Sequence, residues 1–202
     1  MTAPVEKPFS PSCARNQDPI LDVLRDVFAE RKRVLEIGSG TGRIGAPSPG
    51  ALPPLSGQLS ERAGLRPGTR LWLEETALAN TPPPIVLDVN QADWPASRYD
   101  AVFSANTLHI MAWSEVEKLF VRLPQIMTDD ARLVVYGPFN IDGLYTSESN
   151  AEFDAWLHER GAHMGIRDLA AVDVLAAAAG LRRIANHAMP ANNRCVVWQR
   201  DS

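Results

Sequence analysis

The chain has 202 residues, 45% of them apolar, with 20 basic and 24 acidic side chains and a net charge of -4. That is the composition of one soluble globular domain at the upper end of single-core size, and its mild acidity argues against a nucleic-acid backbone as the main partner. Two cysteines, Cys13 and Cys195, cannot build a disulfide framework, no run of 18 apolar residues exists to span a membrane, and the N-terminus lacks the apolar core of a secretory signal, so the expectation is a cytoplasmic protein without a membrane partner.

Residues 1–17 are polar and Pro-containing and read as an N-terminal arm. Asp18-Pro19 then opens a helix, since Asp caps well and Pro is favoured at the first helical position. Ile20, Leu21, Leu24, Val27 and Phe28 recur at helical spacing as far as Glu30. Arg33–Ile37 is a short apolar strand cut off by Gly38. Leu71–Ala79 reads as a helix, Ile85–Val89 as a buried strand, and Tyr99–Ser104 as another. Ser114-Glu-Val-Glu117 and Ser149-Asn-Ala-Glu152 have the form of capping boxes, the first opening a helix to about Leu123. The second helix carries Phe153, Trp156 and Leu157 on one face. Ala131–Tyr136 is a strand stopped by Gly137-Pro138, and Arg167-Asp168 starts a further helix that ends at Gly180. Leu181–Ala188 and Cys195–Arg200, joined by a short loop, should pair antiparallel. Alternating strands and helices predict a mostly parallel sheet with helices on both faces, a three-layer α/β sandwich in a single domain.

The first strand ends as Glu36-Ile-Gly-Ser-Gly-Thr-Gly42. Glycines at the carboxyl end of a first strand let the backbone turn tightly and approach a nucleotide-like ligand. A Walker loop would need Lys-Ser/Thr after the last Gly, where Arg43-Ile44 stand, and G-x-G-x-G is not the dinucleotide spacing. Glu36 would repel a pyrophosphate and suits a ligand with a cationic end. E-x-G-x-G-x-G resembles the first motif of class I S-adenosylmethionine-dependent methyltransferases, whose cofactor carries a sulfonium and an amino group. That resemblance implies cofactor contacts from Glu36, Gly38, Ser39, Gly40 and Gly42. It also implies Glu61 on the ribose hydroxyls, Asp88 and Val89 on the adenine, and Asn106, in the Ser104–His109 segment, beside the cofactor.

Longer segments resemble one family. Arg15–Leu21, Val34–Gly42, Tyr136-Gly-Pro-Phe-Asn140, Thr146–Asn150, Phe153-Asp154, Gly165–Asp168, Gly180-Leu181 and Met189–Asn193 follow, in order, the characteristic segments of the DUF938 family, also called the methyltransferase-like 26 group. The resemblance covers nearly the whole chain and implies a Rossmann-like class I methyltransferase fold, a seven-stranded sheet with an antiparallel last strand, and S-adenosylmethionine as cofactor. The departure is Arg43–Gly57, where members continue with an apolar helix. Here Pro47, Pro49, Pro53 and Pro54 forbid a helix across Ala46–Leu55, each interior Pro costing about 3 kcal/mol. The wider stretch 43–69 is rich in Pro and Gly. The length is nevertheless kept, and Gln58-Leu-Ser-Glu61 restores the pattern, as a local double frame shift would leave it. The expected consequence is weakened cofactor binding.

Methyl transfer needs an acceptor held close to the methyl and, for some nucleophiles, a group that takes a proton. His109 is the candidate base. Tyr136, Phe139 and Asn140, at the end of their strand, are candidates to meet the acceptor, Tyr136 as a catalytic residue or alternatively as a buried strand tyrosine. Arg167 is either a substrate contact or part of a helix cap, and Asn192 and Asn193 either close a turn or bind the acceptor. Arg15 and Asn16 are candidates to fold over the site. His158 and His163 read as surface residues rather than metal ligands, and Trp72, Trp156 and Trp198 as core. The expectation is a methyltransferase acting on a small molecule. The alternative is a non-catalytic protein of the same fold that binds cofactor poorly and serves as a partner subunit.

Overall fold

The structure, a computed structural model, describes residues 11–39, 56–62 and 82–202. The expected helix at 71–79, Trp72 and most of the Pro/Gly-rich stretch lie outside the described residues. Helix α1 spans Pro11–Val27. It is followed by strands β1 (Arg33–Ile37), β2 (Ser56–Glu61), β3 (Ile85–Val86) and β4 (Tyr99–Ala105), then α2 (Trp113–Ile126) and β5 (Met127–Gly137). A short β6 (Phe139–Asn140), α3 (Glu148–Arg160), β7 (Arg167–Asp168) and α4 (Leu169–Ala178) precede the final pair, β8 (Leu181–Met189) and β9 (Asn193–Arg200).

Seven strands form one sheet in the order β3-β2-β1-β4-β5-β9-β8, all parallel except β9, which runs antiparallel to both neighbours. The alternation of side chains along the strands builds two cores. Val102, Leu133, Val135, Val196 and Trp198 face α2 and α4 and pack with Phe120, Leu123, Val172 and Ala176. Their chain neighbours Ala101, Phe103, Val134, Tyr136, Cys195 and Val197 face the other way, onto Ile20, Leu24 and Phe28 of α1. With both faces covered, the strands read as continuous apolar runs rather than as alternating ones. Cys195 is a packed thiol, its pKa pushed up by burial to about 12. No described helix is long and apolar enough to cross a membrane.

Several boundaries differ from expectation. Helix α1 starts at Pro11, not Asp18, and carries Pro19 inside it, so residues 11–17 belong to a helix rather than an arm. Pro19 removes the bond its own N–H would make and crowds the preceding turn. Asn16, buried four residues before Ile20 on the same helix face, anchors the turn that precedes it. Both capping boxes are displaced by two residues. At α2, Glu115 rather than Glu117 reaches back, its Oε2 accepting from the Ala112 N–H at 3.0 Å. Glu115 wins because its other oxygen is held by Asn90 at 2.8 Å and Arg62 at 3.2 Å. At α3, Ser147 caps, its Oγ accepting from the Asn150 N–H at 3.1 Å; Ser149 is instead engaged by the side-chain amide of Asn192. Strand β5 is longer than expected at both ends, and β3 stops at Val86. Trp198 is core, but Trp156 is 45% exposed, a correction explained below by its neighbours.

Candidate active site

The carboxyl ends of β1, β2, β4 and β5 meet at one edge of the sheet. At β1 the chain turns on Gly38, which has φ +69°. A Cβ there would lie 2.8 Å from Thr107 Oγ1, so the left-handed conformation and the close approach of the β4 turn both demand glycine. Serines fix the turn: Ser60 Oγ donates to the Glu36 carbonyl at 2.6 Å, Ser104 Oγ to the Ile37 carbonyl at 3.0 Å, and the Ser60 N–H to Ser39 Oγ at 3.2 Å.

Glu36 lies in this frame with only 4% of its surface exposed. Its Oε2 is buried without a hydrogen-bond partner among the described residues. Burial pushes its pKa up to about 8, against a hydrogen bond from Ser39 that lowers it and with the charge of Glu61 adding to the rise. Among the described residues no cation pairs with it. Glu61 ends β2 and accepts from the Arg62 N–H at 3.0 Å. Asp88, just past β3, holds the Asn90 N–H at 2.9 Å and meets the Arg62 guanidinium at 3.4 Å. The Val89 side chain belongs to the core. Gly40 and Gly42 lie outside the described residues.

Beyond β4, Asn106 takes a left-handed conformation, φ 54°, and donates its N–H to the Tyr136 carbonyl at 2.8 Å. A tight turn follows and carries His109. The position a Cβ on Gly137 would take lies 3.7 Å from His109 Nδ1 and 3.8 Å from Asn106 Oδ1. One nitrogen and one amide oxygen thus converge on the same point at the end of β5. His109 is 7% exposed. Its desolvation, with the nearby Arg167 charge, lowers its pKa to about 4, so the imidazole is neutral at physiological pH.

The remaining candidates divide. Tyr136 is 1% exposed and its ring packs in the α1-side core, because it has the parity of Val134 and not of Gly137. Its ring therefore stands on the opposite face from the α2-side core, in agreement with the buried-strand alternative. Asn16 is buried on the α1 side, and the Arg15 side chain lies outside the described residues. Phe139 does not line an open pocket: it is buried among the core residues of α2 and α4. Asn140, next to it, has a buried Oδ1 with no hydrogen-bond partner among the described residues. Arg167 donates to the carbonyls of Leu108, Met111 and His163, so it braces the turn that carries His109. Asp168 caps α4 through the Ala170 N–H at 2.9 Å. The Asn192 carbonyl takes the side-chain amide of Asn150, and Asn193 donates to the Pro190 carbonyl, so both asparagines secure the β8–β9 turn, where Ala191 and Asn192 have positive φ. His158 and His163 are surface residues.

Sequence reasoning missed three participants. Thr107 dictates Gly38. Arg62 joins Asp88 to Glu115. Phe153 meets the His109 ring edge-on, with centroids 5.4 Å apart; its pairing with Asp154 in a characteristic segment was the only hint.

The strand order, the single antiparallel strand and a glycine turn backed by a buried acid define a Rossmann-like methyltransferase fold. The chain belongs to the family described as a protein of unknown function (DUF938), whose model matches residues 7–200. It is similar in fold to an O-methyltransferase family protein from Burkholderia thailandensis (18% identity over 95% of this chain and 58% of that one, TM-score 0.81). The mitomycin 7-O-methyltransferase (20% identity, 94% and 54%, TM-score 0.79) is similar too. So is an O-methyltransferase family 2 protein from Planctomyces limnophilus in complex with apigenin (16% identity, 94% and 58%, TM-score 0.79). The chain spans little more than half the length of these structures.

Proposed function

We propose that the protein is an S-adenosylmethionine-dependent methyltransferase whose acceptor is a small molecule bearing an O–H or N–H nucleophile. The observation that carries this reading is Glu36: a buried carboxyl with an unpartnered oxygen, beside a glycine turn at the carboxyl edge, fits a ligand with an ammonium group. Glu61 and Asp88, at the ends of the next two strands, are placed to accept from ribose hydroxyls and from an exocyclic amine. The cofactor, when bound, supplies a methyl on a positively charged sulfur.

This chain's own residues would do the rest. Glu36 balances the ligand's positive charge once it has given up its proton. Asn106 and His109 bracket the place where β4 and β5 end, and a nucleophile there would meet both. His109, neutral and desolvated, accepts a hydrogen bond from the nucleophile and takes its proton as the methyl arrives. A pKa of about 4 suffices, because an alkylated hydroxyl is a far stronger acid than the hydroxyl itself. Asn140 offers a second acceptor. The solved neighbours named for mitomycin 7-O-methylation and for an apigenin complex support an acceptor of modest size.

The opposing reading, a non-catalytic protein of the same fold, is favoured by the Pro/Gly-rich sequence of 43–57. Thermal shift and titration calorimetry with S-adenosylhomocysteine separate the two. The methyltransferase reading expects saturable binding that Gly40→Arg abolishes and no response to NAD(H). Absence of binding by the wild-type chain overturns it.

A further inference from the structure

A ladder of rings runs outward from His109. Phe153, Trp156, Leu157 and Arg160 stand at positions i, i+3, i+4 and i+7 of α3 and so share one helix face. Phe153 meets the His109 ring at 5.4 Å and 74°, edge to face. Trp156 stacks on Phe153 at 5.6 Å and 23°. The Arg160 guanidinium closes the far side of the indole, 3.9 Å from its centroid. Trp156, 45% exposed, is thus engaged by both Phe153 and Arg160, which explains why a large aromatic occupies a surface helix. A helix that needed only a buried anchor would have it in Leu157, which is 1% exposed. The stack does something else.

Resting on the functional reading above, we propose that Phe153 is a positioning residue for His109. The Phe153–Trp156–Arg160 stack holds the imidazole against β5 and keeps water from it, so that Nδ1 faces the end of β5 as an unprotonated acceptor. Phe153 on α3 packs against the ring and Gly137 on β5 faces its Nδ1, with Asn106 Oδ1 close to the same point of Gly137. On the backbone side the turn is held by hydrogen bonds, since the His109 carbonyl takes the Gly165 N–H at 2.9 Å and Arg167 braces the same turn. Among these neighbours only Phe153 is a side chain held by other side chains rather than by the sheet. It is therefore the one whose removal admits solvent without disturbing the strands.

The charged groups near His109 are few. From β7 comes Arg167, whose charge disfavours imidazolium. From α3 come Asp154, committed to the Ile166 N–H and the Tyr145 hydroxyl, the exposed His158 beside it, and Arg160 at the outer end of the stack. Asn106 and Gly137 do not titrate. Removing Phe153 leaves the Arg167 charge in place and removes desolvation, the larger cause. His109 should then move part of the way back towards an ordinary histidine.

The test reads the four histidine side chains by long-range 1H–15N correlation between pH 5 and 8, in the full chain without ligand. In the wild type, His109 should stay neutral throughout that window. Phe153→Ala should bring His109 into titration within it, its midpoint rising from about 4 by roughly 1.5 pH units or more. Phe153→Leu, which keeps most of the volume, should retain wild-type behaviour. Trp156→Ala, at a position 45% exposed, should give a smaller rise, read as partial protonation of His109 at pH 5. A wild-type His109 that already titrates between pH 5 and 8 overturns the proposal. So does a His109 that stays neutral in both alanine variants. S-adenosylhomocysteine binding, followed in parallel by thermal shift, should be the same in Phe153→Ala and wild type. Failure of the wild type to bind it would remove the functional reading and leave the titration result standing.

Discussion

Glu36 should make the fold less stable as the pH rises. Its pKa is raised from 4.5 to about 8 by burial, with the Glu61 charge adding and the Ser39 hydrogen bond opposing. Below about pH 4.5 the carboxyl is protonated in both folded and unfolded chains and contributes no pH dependence. Between about 4.5 and 8 the folded protein keeps a proton that the unfolded chain has released, so stability falls with rising pH. Above about 8 both states are ionised and the full cost is present. At 1.36 kcal/mol per pH unit the gap sets an upper bound of roughly 5 kcal/mol. Water entry around the carboxylate lowers the effective figure to roughly 2–4 kcal/mol. Glu36→Gln keeps the shape and cannot ionise. Guanidinium unfolding of both proteins at pH 5, 6.5 and 8 isolates the residue, because every other titrating group is shared. The advantage of the Gln variant should grow by roughly 2–4 kcal/mol across that range. Stability profiles that run parallel would refute the reasoning, as would an advantage that shrinks with pH.

Gly38→Ala would place a methyl 2.8 Å from Thr107 Oγ1 in a residue of φ +69°. It should cost roughly 2–3 kcal/mol, a Tm fall of roughly 5–10 °C, and adding Thr107→Ala should recover only the contact part and not the backbone strain. Asp154 accepts from the Ile166 N–H at 2.5 Å and the Tyr145 hydroxyl at 2.7 Å. Asp154→Asn turns one of these acceptors into a donor and should cost roughly 2–3 kcal/mol by denaturant titration, with limited proteolysis cutting between 141 and 166 first. S-adenosylhomocysteine should bind more weakly than low-micromolar by calorimetry, the expectation drawn from Pro47, Pro49, Pro53 and Pro54 in the sequence. Low-micromolar affinity would contradict that.

The sheet was legible because its signals are local. Apolar runs bounded by Gly, Pro and Asp mark β1, β4 and β5, and the short loop before β9 leaves antiparallel pairing as the only choice. The apolar run Ile85-Val-Leu87 followed by Asp88 does not reveal a β3 of only two residues, however, and the short β6–β7 pair has no periodicity to read. The caps failed for a different reason. Ser114 and Ser149 satisfy the S-x-x-E pattern, but the true caps stand two residues earlier because Asn90 and Arg62 hold Glu115, and Asn192 holds Ser149. Those partners are between 25 and 53 positions away in the chain, beyond any capping rule. Strand parity was available in principle: Tyr136 must face the same way as Val134. Which helix covers that face depends on the topology.

The candidate site shows the same division, and there it carries meaning. Its cofactor half was readable because a glycine turn and an acid must be adjacent in sequence to be adjacent in space. Its acceptor half was not, because His109, Gly137 and Phe153 come from three separate connections that only the assembled sheet brings together. Where local rules and the fold agree, as in the two cores, polar groups are absent or paired. Where they part, Glu36 and Asn140 keep buried oxygens without partners among the described residues, and a neutral histidine sits behind a stack of rings. Each of these arrangements lowers the stability of the free chain. On the proposed reading, two ligands would relieve them, one bringing an ammonium group to Glu36 and the other an acceptor hydroxyl or amine to His109 and Asn140. A fold retains such costs at the edge where its strands end because binding, and not folding, is what offsets them.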